Sequence, residues 1–275
     1  MMDTATEVCS VALSEDGKIV AFREENEGFR HSERLTLFIG EVLEEAGWTT
    51  GSLDAVCVSR GPGSYTGLRI GISVAKGICY GAGIPLISVS SLYSMADHAA
   101  RHLPDLTGED LPGALLCPML DARRMEVYAV LCDRAGKSVT GVQAMIVNEH
   151  SFQNELNAGK IVFFGNGAAK CRAVIQHPNA LFPEYIPASA RFMSRLAHDH
   201  FDQRQFEDVA YFQCAGFARG DWGDRAPGIL CKDARSLSPG GGCVPFPGPV
   251  RPGVRARPVR RLSGRQRFLH RRGRG

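Results

Sequence analysis

The sequence predicts an α/β protein whose strands form mixed sheets. Three observations indicate this class. Residues 8–13 and 18–23 are short β-like runs, and the Asp-Gly pair between them is typical of a hairpin turn. A segment with helical periodicity follows at 33–46, and beyond it short apolar runs alternate with helical segments. A hairpin followed by alternating strands and helices favours a sheet with both antiparallel and parallel pairs.

The first half of the chain keeps this alternating order. The helix at 33–46 has Ser32 suited to its N-cap and Gly47 suited to its C-cap. The elements that follow are a buried strand at 54–59, a glycine-rich loop at 61–66, a helix at 67–80, a strand at 86–89 and a helix that ends near residue 102.

The second half repeats the order of elements without a convincing sequence repeat. A loop at 104–112 separates the two halves. The elements predicted after it are strands at 114–120, 126–132 and 161–164 and helices at 168–175 and 189–201. The chain is therefore predicted to form one lobe over 1–103 and a second over 104–213, with a tail over 214–275.

The charge of the chain is divided unevenly between body and tail. The net charge is +3, but residues 214–275 hold 13 Arg and 1 Lys against 3 Asp, which leaves −8 on residues 1–213. The tail also has 12 Gly and 7 Pro and shows no periodicity, so it is predicted to be disordered. Two origins stay open for it: a genuine basic arm, or an out-of-frame translation of GC-rich DNA.

Composition excludes several classes of protein. No apolar run reaches the roughly 18 residues of a membrane span, and the first residues lack the basic and apolar regions of a secretion signal. The nine cysteines are at least 12 residues apart, so no zinc-finger spacing is present. A cytoplasmic protein with reduced thiols is expected.

The most informative segment is the glycine-rich loop between a strand and a helix. It reads Gly61-Pro62-Gly63-Ser64-Tyr65-Thr66-Gly67. Backbone amides in such a loop can hold an anion at a helix N-terminus, and the alternative is a rigid turn with no ligand. No Gly-Lys-Ser/Thr follows, so this is not a Walker loop. Pro62 stands where a nucleophile elbow needs glycine, so Ser64 is a poor nucleophile candidate.

Three further segments carry weaker signals. Asp121, Arg123 and Arg124 lie between two predicted strands, where they indicate either an anion or nucleic-acid contact or a turn braced by an Asp–Arg pair. The Gly-Asn-Gly sequence at 165–167 is typical of a nucleotide-fold loop or of a simple helix entry. The Asp-Thr-Ala-Thr sequence at 3–6 is similar to the first phosphate-contacting turn of actin-like ATPases.

The histidines give no metal site by spacing. His31 opens the first helix, but the residue four positions later is Leu35, so a His-x-x-x-His pair is absent there. His98 and His102 have that spacing without an evident third ligand. They are interpreted as solvated residues at the exposed end of a helix.

These motifs together resemble the TsaB (YeaZ) family over residues 1 to about 213. The resemblance is carried by the segments 3–7, 61–71, 121–128 and 206–211, which match in order and spacing. It implies an actin-like (ASKHA, ribonuclease H-like) fold of two lobes. It also implies a role in making threonylcarbamoyladenosine at position 37 of tRNAs that read codons beginning with A.

The resemblance further implies how the chain acts. Such proteins are regarded as non-catalytic scaffold and activator subunits, with no cofactor of their own. The partners implied are the paralogous transferase TsaD and the ATPase TsaE, with tRNA bound through the complex; a homodimer is the alternative assembly. The absent His-x-x-x-His pair agrees with this, since TsaD binds its metal at that helix.

Pairing is expected through the first two helices. The first helix has more large apolar residues than one narrow face requires, which leaves some for a partner. The residues predicted at the interface are Leu35, Phe38, Ile39 and Val42 on the first helix and Gly67, Leu68, Arg69, Gly71, Ile72 and Ala75 on the second.

Two other functions remain as alternatives to a scaffold. One is a stand-alone ATP-dependent actin-like kinase or carbamoyl transferase, which would need a full set of phosphate and metal groups. The other is an RNA-binding module that acts through the arginine-rich tail. No Ser/His/Asp or metalloprotease motif is present, so a protease is not indicated.

Overall fold

The first sheet of this computed structural model is formed by the amino-terminal half of the chain. The model describes residues 1–28, 30–183 and 185–214, so the predictions about the tail lie outside the described residues from residue 215 onward. The strands of this sheet are β1 (Met2–Asp3), β2 (Cys9–Glu15), β3 (Lys18–Glu25), β4 (Val56–Gly61) and β5 (Leu86–Ser90).

The order of this sheet is β3-β2-β1-β4-β5. Strand β2 is antiparallel to β1 and β3, whereas β4 is parallel to β1 and β5. The predicted hairpin and the predicted mixture of pairings are both present.

Four α-helices lie in the described part of the first half. They are α1 (His31–Ala46), α2 (Tyr65–Ala82), α3 (Ser91–Arg101) and the short α4 (Leu103–Thr107). Gly47 ends α1 in the left-handed conformation, as predicted, with a φ of 66°. The predicted N-cap at Ser32 is wrong, because the helix already begins at His31. The buried stripes of α1 and α2 pack in one core cluster with β2 and β4.

The second sheet has the same topology as the first. Its strands are β6 (Leu115–Asp121), β7 (Glu126–Ala129), β8 (Gln143–Ile146), β9 (Ile161–Phe164) and β10 (Ala180–Leu181). Their order is β10-β9-β6-β7-β8, so an antiparallel meander of three strands is followed by two parallel strands in each sheet. The similar order of elements noted in the sequence is therefore a repeated sheet topology. The buried residues of α3 and α4 pack with β6 and β9 of this second sheet.

The helices of the second half differ most from the prediction. They are α5 (Gln153–Ala158), α6 (Ala168–Cys171) and α7 (Ser194–Asp202), and the turn Ala190–Met193 before α7 is a 3₁₀ helix. The predicted helix at 168–175 is thus shorter, and the predicted loop at 104–112 begins inside α4. Pro104 is tolerated in that helix because it lies in the first turn, where no intrahelical N–H bond is needed.

The described residues contain no helix that is both long and apolar enough to cross a bilayer. The predicted boundaries of the two lobes, at residues 103 and 213, stay predictions.

Candidate functional site

The turn after β1 is buried although most of its residues are polar. Asp3 is only 1% exposed, and Thr4 is fully buried. The Asp3 carboxylate accepts hydrogen bonds from the Ala5 amide at 2.9 Å and from the Ser91 hydroxyl at 2.7 Å. The Ser91 hydroxyl in turn lies 2.6 Å from that of Ser59 at the end of β4. The carboxylate therefore ties β1 to β4 and α3.

Burial also shifts the pKa of the Asp3 carboxyl. Desolvation raises the pKa of its carboxyl above the ordinary value, and the hydrogen bonds from Ala5 and Ser91 oppose this rise. A carboxyl so enclosed is a structural group, so the structure does not place it where a phosphate could contact it.

The glycine-rich loop presses directly on this turn. A Cβ at Gly63 would lie 2.0 Å from the Ala5 carbonyl oxygen, and one at Gly67 would lie 2.2 Å from that of Thr4. A Cβ at Gly71 would meet the Thr4 hydroxyl at 2.4 Å, while that hydroxyl donates to the Gly67 carbonyl at 2.8 Å. These glycines are therefore needed so that the backbones can approach each other closely.

Three amides of this loop donate hydrogen bonds within the chain. The Gly61 amide donates to the Ser59 hydroxyl at 3.1 Å, and the Ser64 amide donates to the Ala5 carbonyl at 2.6 Å. Ser64 is the N-cap of α2, because its hydroxyl accepts from the Gly67 amide at 3.2 Å. Pro62 is buried and Thr66 is exposed at the helix start. These bonds and the close glycine contacts are those of a rigid turn, and the anion cradle stays a prediction.

The equivalent turn of the second sheet follows β6 and is exposed. The Asp121 carboxylate accepts from the Arg123 amide at 2.8 Å and from the Lys170 ammonium at 2.5 Å. The same ammonium donates to the carbonyls of Arg124 and Glu126, both at 2.7 Å. The turn is thus braced by an Asp–Lys pair and not by the predicted Asp–Arg pair. Arg123 and Arg124 have positive φ values of 74° and 48°, and both residues are exposed.

A glycine loop also packs on this second turn. A Cβ at Gly165 would lie 2.3 Å from the Met119 carbonyl oxygen, so this loop needs glycine as the first one does. Asn166 lies between the two turns: its side-chain oxygen accepts from the Asp121 amide at 3.0 Å, and its side-chain nitrogen donates to Glu7 at 3.0 Å. Tyr185 also contacts Glu7, at 3.4 Å.

The segments predicted from sequence therefore meet at one place. The first turn contacts the 61–67 loop, the second contacts the 165–167 loop, and Glu7 and Asn166 join the two. Sequence reasoning missed Lys170 and Tyr185, because neither lies in a motif and each reaches its partner from a distant part of the chain.

Of the two histidines interpreted as solvated, only His102 is exposed. His31 is buried, with its Nε2 2.8 Å from the Thr6 carbonyl oxygen, and desolvation lowers its pKa. His98 stacks on Phe192 with ring centroids 3.8 Å apart, so its interpretation as a solvated residue is wrong. Within the described ranges no group of three His, Cys, Asp or Glu side chains could hold a metal ion.

Most of the predicted interface residues lie in the core of the chain itself. The buried members are Leu35, Phe38, Val42, Leu68, Ile72 and Ala75 together with Gly67 and Gly71. Their stripe faces the protein's own sheet, so these side chains are not available to a partner in this structure. Ile39 is half-buried, and Arg69 is exposed with its guanidinium 4.1 Å from the Tyr65 ring centroid.

Comparison with known proteins places the chain in a family. A family model described as TsaD, tRNA N6-adenosine threonylcarbamoyltransferase, matches residues 28–211, more than half of the chain. The tRNA threonylcarbamoyladenosine biosynthesis protein TsaB of Escherichia coli (strain K12) is 40% identical over 128 residues, which is 46% of this chain and 51% of that protein. The chain belongs to this family, in the group named TsaB or YeaZ.

Further relatives agree with this placement. TsaB of Haemophilus influenzae is 39% identical over 127 residues, 46% of this chain and 50% of that protein. The solved structure of YeaZ from Pseudomonas aeruginosa is similar with a TM-score of 0.66 and 25% identity, covering 78% of this chain and 97% of that one. The predicted family is confirmed, and so is the predicted α/β class with mixed sheets. The chain spans about half the length of the curated relatives it matches.

Proposed function

We propose that this chain is a scaffold and activator subunit for threonylcarbamoyl transfer to adenosine 37 of tRNA. In this proposal TsaD performs the transfer, TsaE joins the pair, and tRNA is bound through the complex. The observation that carries it is the likeness to proteins named for tRNA threonylcarbamoyladenosine biosynthesis.

The packing of the first turn supports a non-catalytic role. The polar turn at Asp3–Glu7 is occupied by the chain's own 61–67 loop, with four close backbone or hydroxyl contacts between them. The Nε2 atom of His31 lies within hydrogen-bond distance of the Thr6 carbonyl oxygen. Leu35, one helical turn later, is in the core. The groups that an actin-like enzyme would use on a nucleotide or a metal here stabilise the fold instead.

The outer faces of α1 and α2 are proposed as the partner surface. They present Leu37, which is 54% exposed, and two interior helix glycines, Gly40 and Gly77. A Cβ at either glycine would meet nothing within 4 Å. Glycine inside a helix costs about 0.5–1 kcal/mol relative to alanine, and no contact within the chain requires it here. Close approach of a partner helix would explain why glycine is present at both positions.

The transfer proposal is tested by reconstitution. The purified chain is incubated with threonylcarbamoyl adenylate, ATP and tRNA, with and without TsaD and TsaE, and the modified nucleoside is measured by mass spectrometry. We expect product only when TsaD is present and more product when the chain is added to it. Product formed by the chain without TsaD would favour the stand-alone enzyme instead.

The surface is tested with a substitution that separates folding from association. Gly77→Ala should raise the unfolding free energy of the isolated chain by roughly 0.5–1 kcal/mol, because it favours the helix. It should weaken association with TsaD in size-exclusion and calorimetric titrations, because the added methyl group blocks close approach. Asn157→Ala, on the exposed side of α5, is the matched control and should leave association unchanged. Unaltered binding by Gly77→Ala would remove this face from the proposal.

A further inference from the structure

A cavity of about 310 Å³ lies away from the two turns, where three segments of the chain meet. Gly17 and Ile19 of the β2–β3 hairpin form one wall, the last turn of α3 forms the second, and the start of α7 forms the third. The lining contains three arginines and two histidines and no carboxylate, namely Arg101, Arg191, Arg195, His98 and His102.

Two of these arginines are held in place by one buried carboxylate. Asp97 is 6% exposed and accepts from the Arg101 guanidinium at 2.6 Å and from the Arg195 Nε at 2.8 Å. Arg195 also donates to Asp199 at 2.7 Å. Two carboxylates therefore fix two guanidinium groups at the wall, and these four charges cancel.

The third arginine supplies the unbalanced charge. Arg191 is exposed, and its guanidinium lies over the rings of Phe22 and Phe192, 5.2 and 4.9 Å from their centroids. No carboxylate among the described residues lies within ion-pair distance of it. Since residues 1–213 carry −8 overall, a cationic cavity in this body is a local exception.

The geometry points to a binding site for a phosphate group, with Arg191 as the main ionic contact and the fixed Arg101 and Arg195 beside it. Guanidinium groups held in fixed positions suit the planar, paired hydrogen bonds that phosphate oxygens accept. The site is independent of the proposed role in threonylcarbamoyl transfer.

The ring of His98, which lines the cavity, can report on a bound anion. Its stacking on Phe192 buries the ring, and desolvation together with the nearby His102, Arg101 and Arg191 lowers its pKa to about 4, which Asp97 only partly opposes. A dianion bound beside this ring would offset the surrounding positive charges. Binding should therefore raise the pKa of His98, and by linkage the anion should bind more tightly as His98 becomes protonated.

The test is an NMR pH titration of His98 in the full chain with inorganic phosphate or sulfate, sulfate being a probe whose charge stays constant over this range. We expect saturating sulfate to raise the His98 pKa by about one unit or more. Arg191→Gln should weaken sulfate binding about tenfold or more, and Arg191→Lys should weaken it less. Arg172→Gln, an exposed arginine on another surface, is the control and should bind as the unmodified chain does.

A second arm separates the two sources of a phosphate group. A short oligouridylate is titrated at the same phosphate concentration as inorganic phosphate. If the oligonucleotide binds more tightly than inorganic phosphate and Arg191→Gln abolishes its binding, the site is assigned to nucleic-acid phosphate. If the oligonucleotide binds equally or more weakly, the site is assigned to a small free anion. The proposal is overturned if neither anion changes the His98 pKa, or if Arg191→Gln binds sulfate like the unmodified chain.

Discussion

The turns after β1 and after β6 occupy the same position in two sheets of identical topology, yet they are stabilised differently. Each is approached by a glycine loop that follows the fourth strand of its sheet. Each aspartate accepts from a backbone amide, but Asp3 is buried and also bonded to a hydroxyl, whereas Asp121 is exposed and also bonded to an ammonium group. One topology therefore supports either a turn built into the core or a turn open to solvent.

The difference follows from the length of the helix that comes after each glycine loop. The 61–67 loop continues into α2, an 18-residue helix whose start lies on Thr4. The 165–167 loop leads into α6, which has only four residues. The longer helix covers its turn, and the shorter one leaves its turn exposed.

The strongest test of this comparison is Gly63→Ala. The added methyl carbon would lie 2.0 Å from the Ala5 carbonyl oxygen, and both groups are backbone or near-backbone, so neither can move cheaply. We expect the unfolding free energy to fall by roughly 3 kcal/mol or more, measured by urea denaturation. Gly40→Ala is the control, since its methyl meets nothing, and it should stabilise the isolated chain slightly. Similar behaviour of the two variants would contradict the packing described for the first turn.

Some of this arrangement was predictable from the sequence. The hairpin, α1, α2 and β9 have strong local signals: an Asp-Gly turn, apolar periodicity with a C-cap glycine, and a short apolar run before Gly165. Strands β8 and β10 were missed, because β8 is a largely exposed edge without alternation and β10 has two residues. Each exists through pairing with the strand that precedes it in the chain, and that pairing leaves no local signal in so short or so exposed a segment.

The environment of the candidate site was harder to predict. Polar residues such as Asp3 and Thr4 give no sign of burial, since it arises from a loop about 60 positions later. The apolar stripe of α1 was visible, but periodicity does not distinguish a face on the protein's own sheet from one on a partner. Phe38 and Ile72 were therefore assigned to an interface although both lie in the core.

A second test uses the buried carboxyl of the first turn. Asp3→Ala should lower stability by roughly 2 kcal/mol, because it leaves the Ala5 amide and the Ser91 hydroxyl without their acceptor in a buried place. Asp3→Asn keeps an oxygen acceptor and does not ionise. Chemical denaturation of both variants at several pH values measures these effects.

The pH dependence has a definite sign for this residue. The pKa of Asp3 is raised in the folded chain, so its stabilising effect is complete below the ordinary value of 3.8 and is lost as the pH rises through the folded pKa. The Asn variant should lack this loss, so its unfolding free energy should rise relative to that of the unmodified chain toward neutral pH. If the unfolding free energy of the Asn variant instead fell relative to that of the unmodified chain as the pH rose, the carboxylate form of Asp3 would be the stabilising one.

A third test concerns the brace of the second turn. Lys170→Met removes one bond to the Asp121 carboxylate and two bonds to backbone carbonyls while keeping most of the side-chain volume. Because the Lys170 side chain is 22% exposed and the Asp121 side chain is 48% exposed, we expect a loss of roughly 1–2 kcal/mol in thermal or urea unfolding. Arg172→Met, nearby in sequence but exposed, should change stability much less.

The smallest expected effect comes from the carboxylate of that same pair. Asp121→Asn removes the charge facing Lys170 but keeps an oxygen that can accept from the Arg123 amide, so the turn can retain its local bond. Solvent already screens a carboxylate that is 48% exposed, and the loss should be below about 1 kcal/mol. Salt should weaken the unmodified pair, so the difference between the two chains should shrink as sodium chloride is raised. A loss as large as that of Asp3→Ala, independent of salt, would mean that the second turn is as much a part of the core as the first.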